Sequence, residues 1–299
     1  MKLYITPGIK EILDLTKIPT KYEIVDDLTS EIEVFAGSVY GVYKYYENLA
    51  NLKYILLTTA GFNQLDLNYL KSKNISLTNA RGAFSIPIAE SVIAHILYVN
   101  RGLKTYQIQQ ENHEWIKHND FIELTDSKVG FLGGGSIAEE ILKRLKPFGI
   151  TSLVFRSRNV LGPFDEVYTN QEGLEKLVSE SDYIINTLPL DESTTNLFSK
   201  ELISKMKRDA FYINVGRAGT HDEEALVDAL EKGKIRGAYL DVFNVEPIDE
   251  DSKLWGVKNL YITPHNTPSS TKNDKRLEKL VLSNLNTYIN QKELLNTII

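Results

Sequence analysis

One stretch constrains the fold more than any other: Lys128-Val129-Gly130-Phe131-Leu132-Gly133-Gly134-Gly135-Ser136-Ile137-Ala138. An apolar strand runs into G-x-G-x-x-A and straight on into a helical pattern. Gly133 permits the tight turn, Gly135 lets the backbone approach a pyrophosphate, and Ala138 is small enough for helix and strand to pack closely. The first N–H groups of the helix, from Ser136 and Ile137 onward, would face the phosphates at the positive end of its dipole. Three successive glycines could also form a plain flexible turn. The strand before and the helix after favour dinucleotide binding.

The position that reads the ribose lies at the end of the next strand, about 20 residues past the fingerprint. Eighteen residues beyond Ala138 the chain reads Arg156-Ser157-Arg158. An acid there would accept from both ribose hydroxyls of NAD. Two arginines around a serine instead suit a 2′-phosphate. NADP(H) is therefore the expected cofactor, with NAD(H) still open; the plainer alternative is a pair of solvated arginines at a strand end.

A parallel-sheet rhythm surrounds this loop. Before it, Leu3–Thr6, Tyr22–Val25, Val34–Gly37, Tyr54–Thr58 and Ile75–Thr78 read as strands, with helices expected at Glu11–Leu15, Tyr43–Ala50 and Leu65–Lys71. One longer helix is expected from Ile86 to about Gln109, with Ser85 as its cap and Pro87 in its first turn. After the loop, strands at Ser152–Arg156, Tyr183–Leu188, Phe211–Val215, Arg236–Val242 and Leu260–Thr263 alternate with helices at Gln171–Ser179, Ser199–Met206 and Asp222–Lys232. Asp274–Gln291 reads as a closing amphipathic helix. At 299 residues the chain suits two domains. The expected class is α/β, with two doubly wound parallel-sheet domains, Rossmann-like and flavodoxin-like, and a cleft between them.

Composition narrows the function. With no cysteine there is no disulfide, thiolate metal site or Cys nucleophile, and no metal site is expected. A net charge of -6 weighs against nucleic acid or an anionic membrane as partner. The start breaks at Pro7-Gly8 before a signal-peptide core could form, and no apolar run approaches a membrane span. A cytoplasmic location is the expectation.

Ionisable residues then gather just past strand ends: Arg217 in Asn214-Val215-Gly216-Arg217, Asp241 and Glu246 in Asp241-Val242-Phe243-Asn244-Val245-Glu246-Pro247, and His265 in Thr263-Pro264-His265. Ligands of open parallel sheets bind at this end. Singly, such an arginine is usually a surface charge, such a glutamate loop solvation, and such a histidine a satisfied hydrogen-bonder. Together with Ala60-Gly61-Phe62-Asn63-Gln64-Leu65-Asp66, Ala89-Glu90, Leu188-Pro189-Leu190 and Met206-Lys207 they form an ordered set. From about Leu52 to His265 that set resembles the D-isomer-specific 2-hydroxyacid dehydrogenases of the glyoxylate/hydroxypyruvate reductase and phosphoglycerate dehydrogenase type.

The resemblance implies NAD(P)H-dependent reduction of a small 2-oxo acid to the D-2-hydroxy acid. Arg217 would bind the substrate carboxylate and polarise the carbonyl, and His265 would give a proton to the carbonyl oxygen. Glu246 would orient the imidazole and favour its protonated form. Asp241 would anchor the nicotinamide carboxamide. Leu188, Pro189, Val215 and Gly216 would border the cofactor, as would Gly133, Gly135, Ser136 and Ile137. Backbone N–H groups of Ala60, Gly61 and Phe62 would hold the carboxylate. The implied substrate domain is 1–83 plus 268–299, around a Rossmann domain of 84–267. Ser38, Val39, Tyr40, Phe62 and Phe84 are candidates for the side-chain pocket. A homodimer is also implied, with Trp115 a candidate to reach a partner's site. Departures from the pattern are Thr187 before Leu-Pro, Thr220-His221 in place of an apolar pair, and Asn266-Thr267 after the histidine. Two other readings share the fold: a non-catalytic NAD(H)-sensing corepressor-like protein and a formate- or phosphite-dehydrogenase-like enzyme.

Overall fold

The computed structural model describes residues 1–157 and 162–299, so Arg158 of the expected phosphate-reading segment lies outside the described residues. The chain divides into two compact units, Met1–Phe84 with Ser270–Ile299, and Ser85–Ser269.

The first unit is built on five parallel strands, β1 (Lys2–Ile5), β2 (Glu23–Val25), β3 (Val34–Gly37), β4 (Tyr54–Leu57) and β5 (Ser76–Thr78), in the order β2-β1-β3-β4-β5. That is the flavodoxin-like order. Strands β3 and β4 are buried on both faces, so they read as unbroken apolar runs whose alternate residues enter opposite cores. Phe35, Ile55 and Leu57 face one layer with Val42, Tyr46 and Leu70. Val34, Ala36, Tyr54 and Leu56 face the other, which Val281 and Leu285 of the C-terminal helix Asn273–Ile289 close. Tyr22 Oη donates to the Leu285 carbonyl at 2.8 Å, and Tyr54 stacks on Tyr288.

Four local expectations for this unit and its border are corrected. Glu11–Leu15 is not a helix: α1 is Pro7–Lys10, and a 3₁₀ turn at Leu15–Lys17 follows, capped by Asp14. Tyr43–Ala50 is also not a helix. Val39, Val42, Tyr46 and Leu49 all reach the core, but from 3₁₀ turns at Val39–Gly41 and Tyr46–Asn48. A run so rich in tyrosine has weak helix propensity, and three-residue turns meet the same apolar spacing. Val39 is therefore core, 2% exposed, and not pocket lining. Leu65–Lys71 gives α2 at Leu67–Ser72, capped by Asp66. The long helix from Ile86 is two helices, α3 (Ser85–Asn100) and α4 (Leu103–Glu111). Gly102 breaks them at φ +59, where a Cβ would also strike the Phe121 ring.

In the second unit seven parallel strands follow the order β12-β11-β10-β9-β6-β7-β8. They are β6 (Lys128–Leu132), β7 (Thr151–Phe155), β8 (Glu166–Tyr168), β9 (Tyr183–Asn186), β10 (Phe211–Asn214), β11 (Gly237–Leu240) and β12 (Leu260–Ile262). Strand β6 starts the series, β7 and β8 extend one way and β9 to β12 the other. The order thus reverses beside β6, the doubly wound arrangement in which ligands sit at the carboxyl ends next to that switch. Helix α5 (Ser136–Leu145) buries Ala138, Ile141, Leu142 and Leu145, the i, i+3, i+4, i+7 stripe of a sheet-covering helix. Helices α6 (Gln171–Glu180), α7 (Lys200–Ser204) and α8 (Glu223–Glu231) complete the cover. Edge strand β8 has three half-buried residues and carries no apolar alternation in its sequence.

Candidate functional site

The glycine turn has the local form its sequence demands. Gly133 sits at φ +93, which side chains disfavour, and a Cβ there would press on Thr187 Oγ1. Gly135 precedes α5 with no side-chain cap, and a Cβ built on it would meet nothing within 4 Å. Open space therefore lies over an uncapped helix start whose first N–H groups have no intrahelical acceptor. That is where a phosphate fits. Thr187 closes the other side, its hydroxyl 3.3 Å from the carbonyls of both Leu132 and Gly133. Gly216 allows a second close approach: a Cβ there would lie 2.6 Å from the Leu188 carbonyl oxygen. The loops bearing Leu188-Pro189 and Val215-Gly216 can meet only because that residue has no side chain.

Arg156 leaves the end of β7 and turns back along the glycine loop. Its Cδ lies 3.0 Å from the place a Gly134 Cβ would take, and its guanidinium is 6.0 Å from the Phe164 ring centre. Ser157 beside it is exposed.

The other sequence-predicted residues gather at the carboxyl end of the same sheet. Asn214, Leu240 and Ile262 pair in register across β10, β11 and β12. Arg217, Asp241 and His265 follow those ends by three, one and three residues. Nδ1 of His265 lies 2.8 Å from Glu246 Oε2, and the other oxygen, Oε1, accepts the Phe243 N–H at 2.9 Å. A carboxylate can only accept, so Nδ1 carries hydrogen and Nε2 is the nitrogen left for chemistry. Both side chains are about two-fifths exposed. Beside them is a cavity of about 550 Å³, lined by this pair and by Phe243, Pro247, Ile248, Trp255, Ile262 and Pro264.

His265 itself stands at φ +50, an unfavourable backbone for a histidine. Asp241, 1% exposed, holds it there. Its carboxylate accepts the Asn266 N–H at 2.9 Å, the Thr267 N–H at 3.2 Å, the Thr267 hydroxyl, and the Thr263 hydroxyl at 2.5 Å. Asn266 and Thr267, with Thr263, are thus the donors that fix the loop carrying His265. Residue type gave no sign of this, since two of the donors are backbone groups. Tyr239 extends the network, its hydroxyl 2.8 Å from Thr263 Oγ1 and 3.0 Å from Ser91 Oγ.

Arg217 is half-buried, and its Nη1 donates to the Gly216 carbonyl at 2.7 Å. In the first unit Ala60-Gly61-Phe62 follows the carboxyl end of β4, where the Ala60 carbonyl accepts from Asn79 Nδ2 at 2.7 Å. Tyr40 there is 67% exposed. Of the other four histidines, His95 stacks on Tyr239, His118 pairs with Gln109, His221 is buried and His113 is exposed. Among the described residues no group of His, Asp or Glu is set to hold a metal ion, and no helix is long and apolar enough to cross a membrane.

The family model for the D-isomer specific 2-hydroxyacid dehydrogenase NAD binding domain matches residues 93–267. The chain belongs to this family. A probable 2-ketogluconate reductase of Dictyostelium discoideum is 31% identical, over 91% of this chain and 84% of that protein. A hydroxypyruvate reductase of Thermotoga maritima is 32% identical, over 76% of this chain and 74% of its own. A family protein from Aeromonas salmonicida has a crystal structure that covers 100% of this chain and 98% of its own, at TM-score 0.85 and 29% identity. As a 2-hydroxyacid dehydrogenase the chain is an oxidoreductase acting on CH–OH groups with NAD(P) as acceptor. The open, uncapped start of α5 fits the pyrophosphate of that cofactor.

Proposed function

We propose that this dehydrogenase reduces a 2-oxo acid of glyoxylate or hydroxypyruvate size to the D-2-hydroxy acid, with NADPH preferred over NADH. The His265–Glu246 pair carries the reading: a histidine whose Nδ1 is bonded to a carboxylate, with Nε2 free for a carbonyl oxygen. When bound at Gly133, Gly135, Ser136 and Ile137, the nicotinamide nucleotide would supply the hydride. His265 would donate its Nε2 proton to the oxygen as charge develops there. Glu246 would hold the ring in orientation and offset its positive charge. Arg217 would grip the carboxylate with its planar fork. The Ala60–Phe62 backbone is assigned the same carboxylate on family resemblance. Asp241 is assigned the nicotinamide carboxamide in the same way, in addition to the loop it already holds. The same histidine–glutamate–arginine set argues against a non-catalytic nucleotide sensor, and the Arg156-Ser157 segment against a formate- or phosphite-oxidising relative.

The direct test follows reduced-nicotinamide absorbance with NADPH and NADH against a panel of 2-oxo acids. Turnover of formate or phosphite, or of no 2-oxo acid at all, would refute the assignment. Glu246→Gln should lower kcat by about tenfold or more, because one amide cannot accept from both His265 and the Phe243 N–H. An unchanged kcat would mean that Glu246 does something else.

The second unit also presents apolar side chains to solvent, Leu103, Tyr106, Ile108, Trp115 and Ile116, with Trp115 93% exposed. We propose that a second copy of the chain covers them. Sedimentation should give a dimer at micromolar concentration, and Ile108→Asp should weaken it about tenfold or more. A monomer for the unmodified chain would exclude the assembly.

A further inference from the structure

Two asparagines stand side by side at the carboxyl ends of β9 and β10, Asn186 and Asn214, paired in register and fully buried. Each turns its side-chain oxygen onto the chain two residues ahead. Asn186 Oδ1 accepts the Leu188 N–H at 3.1 Å, and Asn214 Oδ1 accepts the Gly216 N–H at 2.9 Å. Both amide nitrogens must then find acceptors away from water. Asn186 Nδ2 donates to Tyr212 Oη and to Thr220 Oγ1, each at 2.9 Å. Asn214 Nδ2 donates to the Arg217 carbonyl at 3.2 Å and to His221 Nδ1 at 2.7 Å. Thr220 directs its own hydroxyl hydrogen to that Arg217 carbonyl at 2.6 Å.

We propose that Thr220 and His221 are positioning residues for substrate binding. Thr220, by its hydroxyl on the Arg217 carbonyl, and His221, through the Asn214 amide, hold the Gly216–Arg217 backbone and so aim the Arg217 guanidinium, while Asn186 fixes the Thr220 hydroxyl. The inference rests on Arg217 being the carboxylate anchor. The chemistry of His221 favours it. Gly216 already fixes which way the Asn214 amide faces, so Nδ1 must accept, and the ring proton belongs on Nε2. That Nε2 is buried with no hydrogen-bond partner, an unfavourable arrangement that an apolar residue of similar size would avoid. An apolar residue could not accept from Asn214. Burial also holds the imidazole neutral, its pKa lowered to about 4, so the accepting lone pair persists through the neutral range. Arg217 curls onto the carbonyl of Gly216. Its aim therefore follows the peptide that this network clamps.

The test is a pair of variants at each position. His221→Leu should raise KM for the 2-oxo acid about tenfold, with a fall in kcat well short of that in Arg217→Ala, because the guanidinium is displaced and not removed. NADPH affinity, read from its fluorescence on binding, should stay within about twofold. His221→Asn restores an acceptor near the Nδ1 position and should recover most of the KM. Thr220→Ser should be near-silent and Thr220→Val should raise KM. Nitrogen-15 spectra of the unmodified protein should show His221 with its proton on Nε2. Unchanged KM in His221→Leu, equal losses in the Leu and Asn variants, or a proton on Nδ1 would each overturn the proposal. Should His221→Leu fold poorly, the Thr220 pair and the tautomer still decide. Arg217→Ala separates the levels: unchanged KM there removes the anchor, whereas raised KM there with silent His221→Leu removes only the positioning role.

Discussion

His265→Asn and Arg217→Ala should each lower kcat with a 2-oxo acid by a factor of about 100 or more, the range expected when a positioned proton donor or charge clamp is lost. The choice of asparagine matters. His265 occupies φ +50, where alanine would be strained and asparagine is comparatively tolerated. His265→Asn therefore removes the proton donor while leaving the loop that Asp241 holds by three of its neighbours, Thr263, Asn266 and Thr267. Loss of activity in that variant belongs to the chemistry. In Arg217→Ala two effects combine. Charge-assisted hydrogen bonds contribute about 1.5–3 kcal/mol each, so losing a bidentate grip should raise KM, and losing polarisation of the carbonyl should lower kcat as well. The Arg217 backbone should survive, because Thr220 and Asn214 hold its carbonyl and not its side chain. Near-normal turnover in either variant would sink the assignment.

The sequence carried the outline of this molecule because the outline depends on residue type. Apolar runs such as Val34–Gly37 and Tyr183–Asn186 can be little else than strands buried on both faces, and the Gly133–Ala138 spacing names its own turn. The placement of Arg217, Glu246 and His265 beyond the carboxyl ends of strands was legible for the same reason. What escaped was whatever depends on backbone groups or on competition between elements. Asp241 holds the loop of His265 in half of its bonds through main-chain N–H groups, which have no letter in a sequence. Thr220 and His221 read as a local departure, yet they complete a buried amide network whose other half lies on β9 and β10. The segment around Tyr43 has helical spacing and takes 3₁₀ turns, since Val42, Tyr46 and Leu49 reach the core either way.

Kinetics with the two nucleotides should favour NADPH over NADH by between about tenfold and a hundredfold in kcat/KM at low salt. The expectation starts from Arg156 and Ser157 at the end of β7, beside the glycine turn and where a ribose-reading acid would otherwise stand. Val154–Arg158 contains no acid that would repel a 2′-phosphate. Guanidinium groups bind such a dianion through paired, charge-assisted hydrogen bonds of about 1.5–3 kcal/mol each, so two would give a hundredfold or more if fully sheltered. Arg156 is only half-buried and Ser157 is exposed, and exposed ion pairs are commonly worth under about 1 kcal/mol. That solvent screening sets the lower end of the range. Arg156→Asp replaces attraction with repulsion at one point. It should lower kcat/KM for NADPH far more than for NADH, and it should leave the KM for the 2-oxo acid unchanged because Arg217 is untouched. Added salt should erode the preference of the unmodified protein as counterions screen the phosphate, with little effect on NADH, which lacks it. Equal kcat/KM for the two nucleotides at low salt would show that Arg156 is a solvated strand-end charge and nothing more.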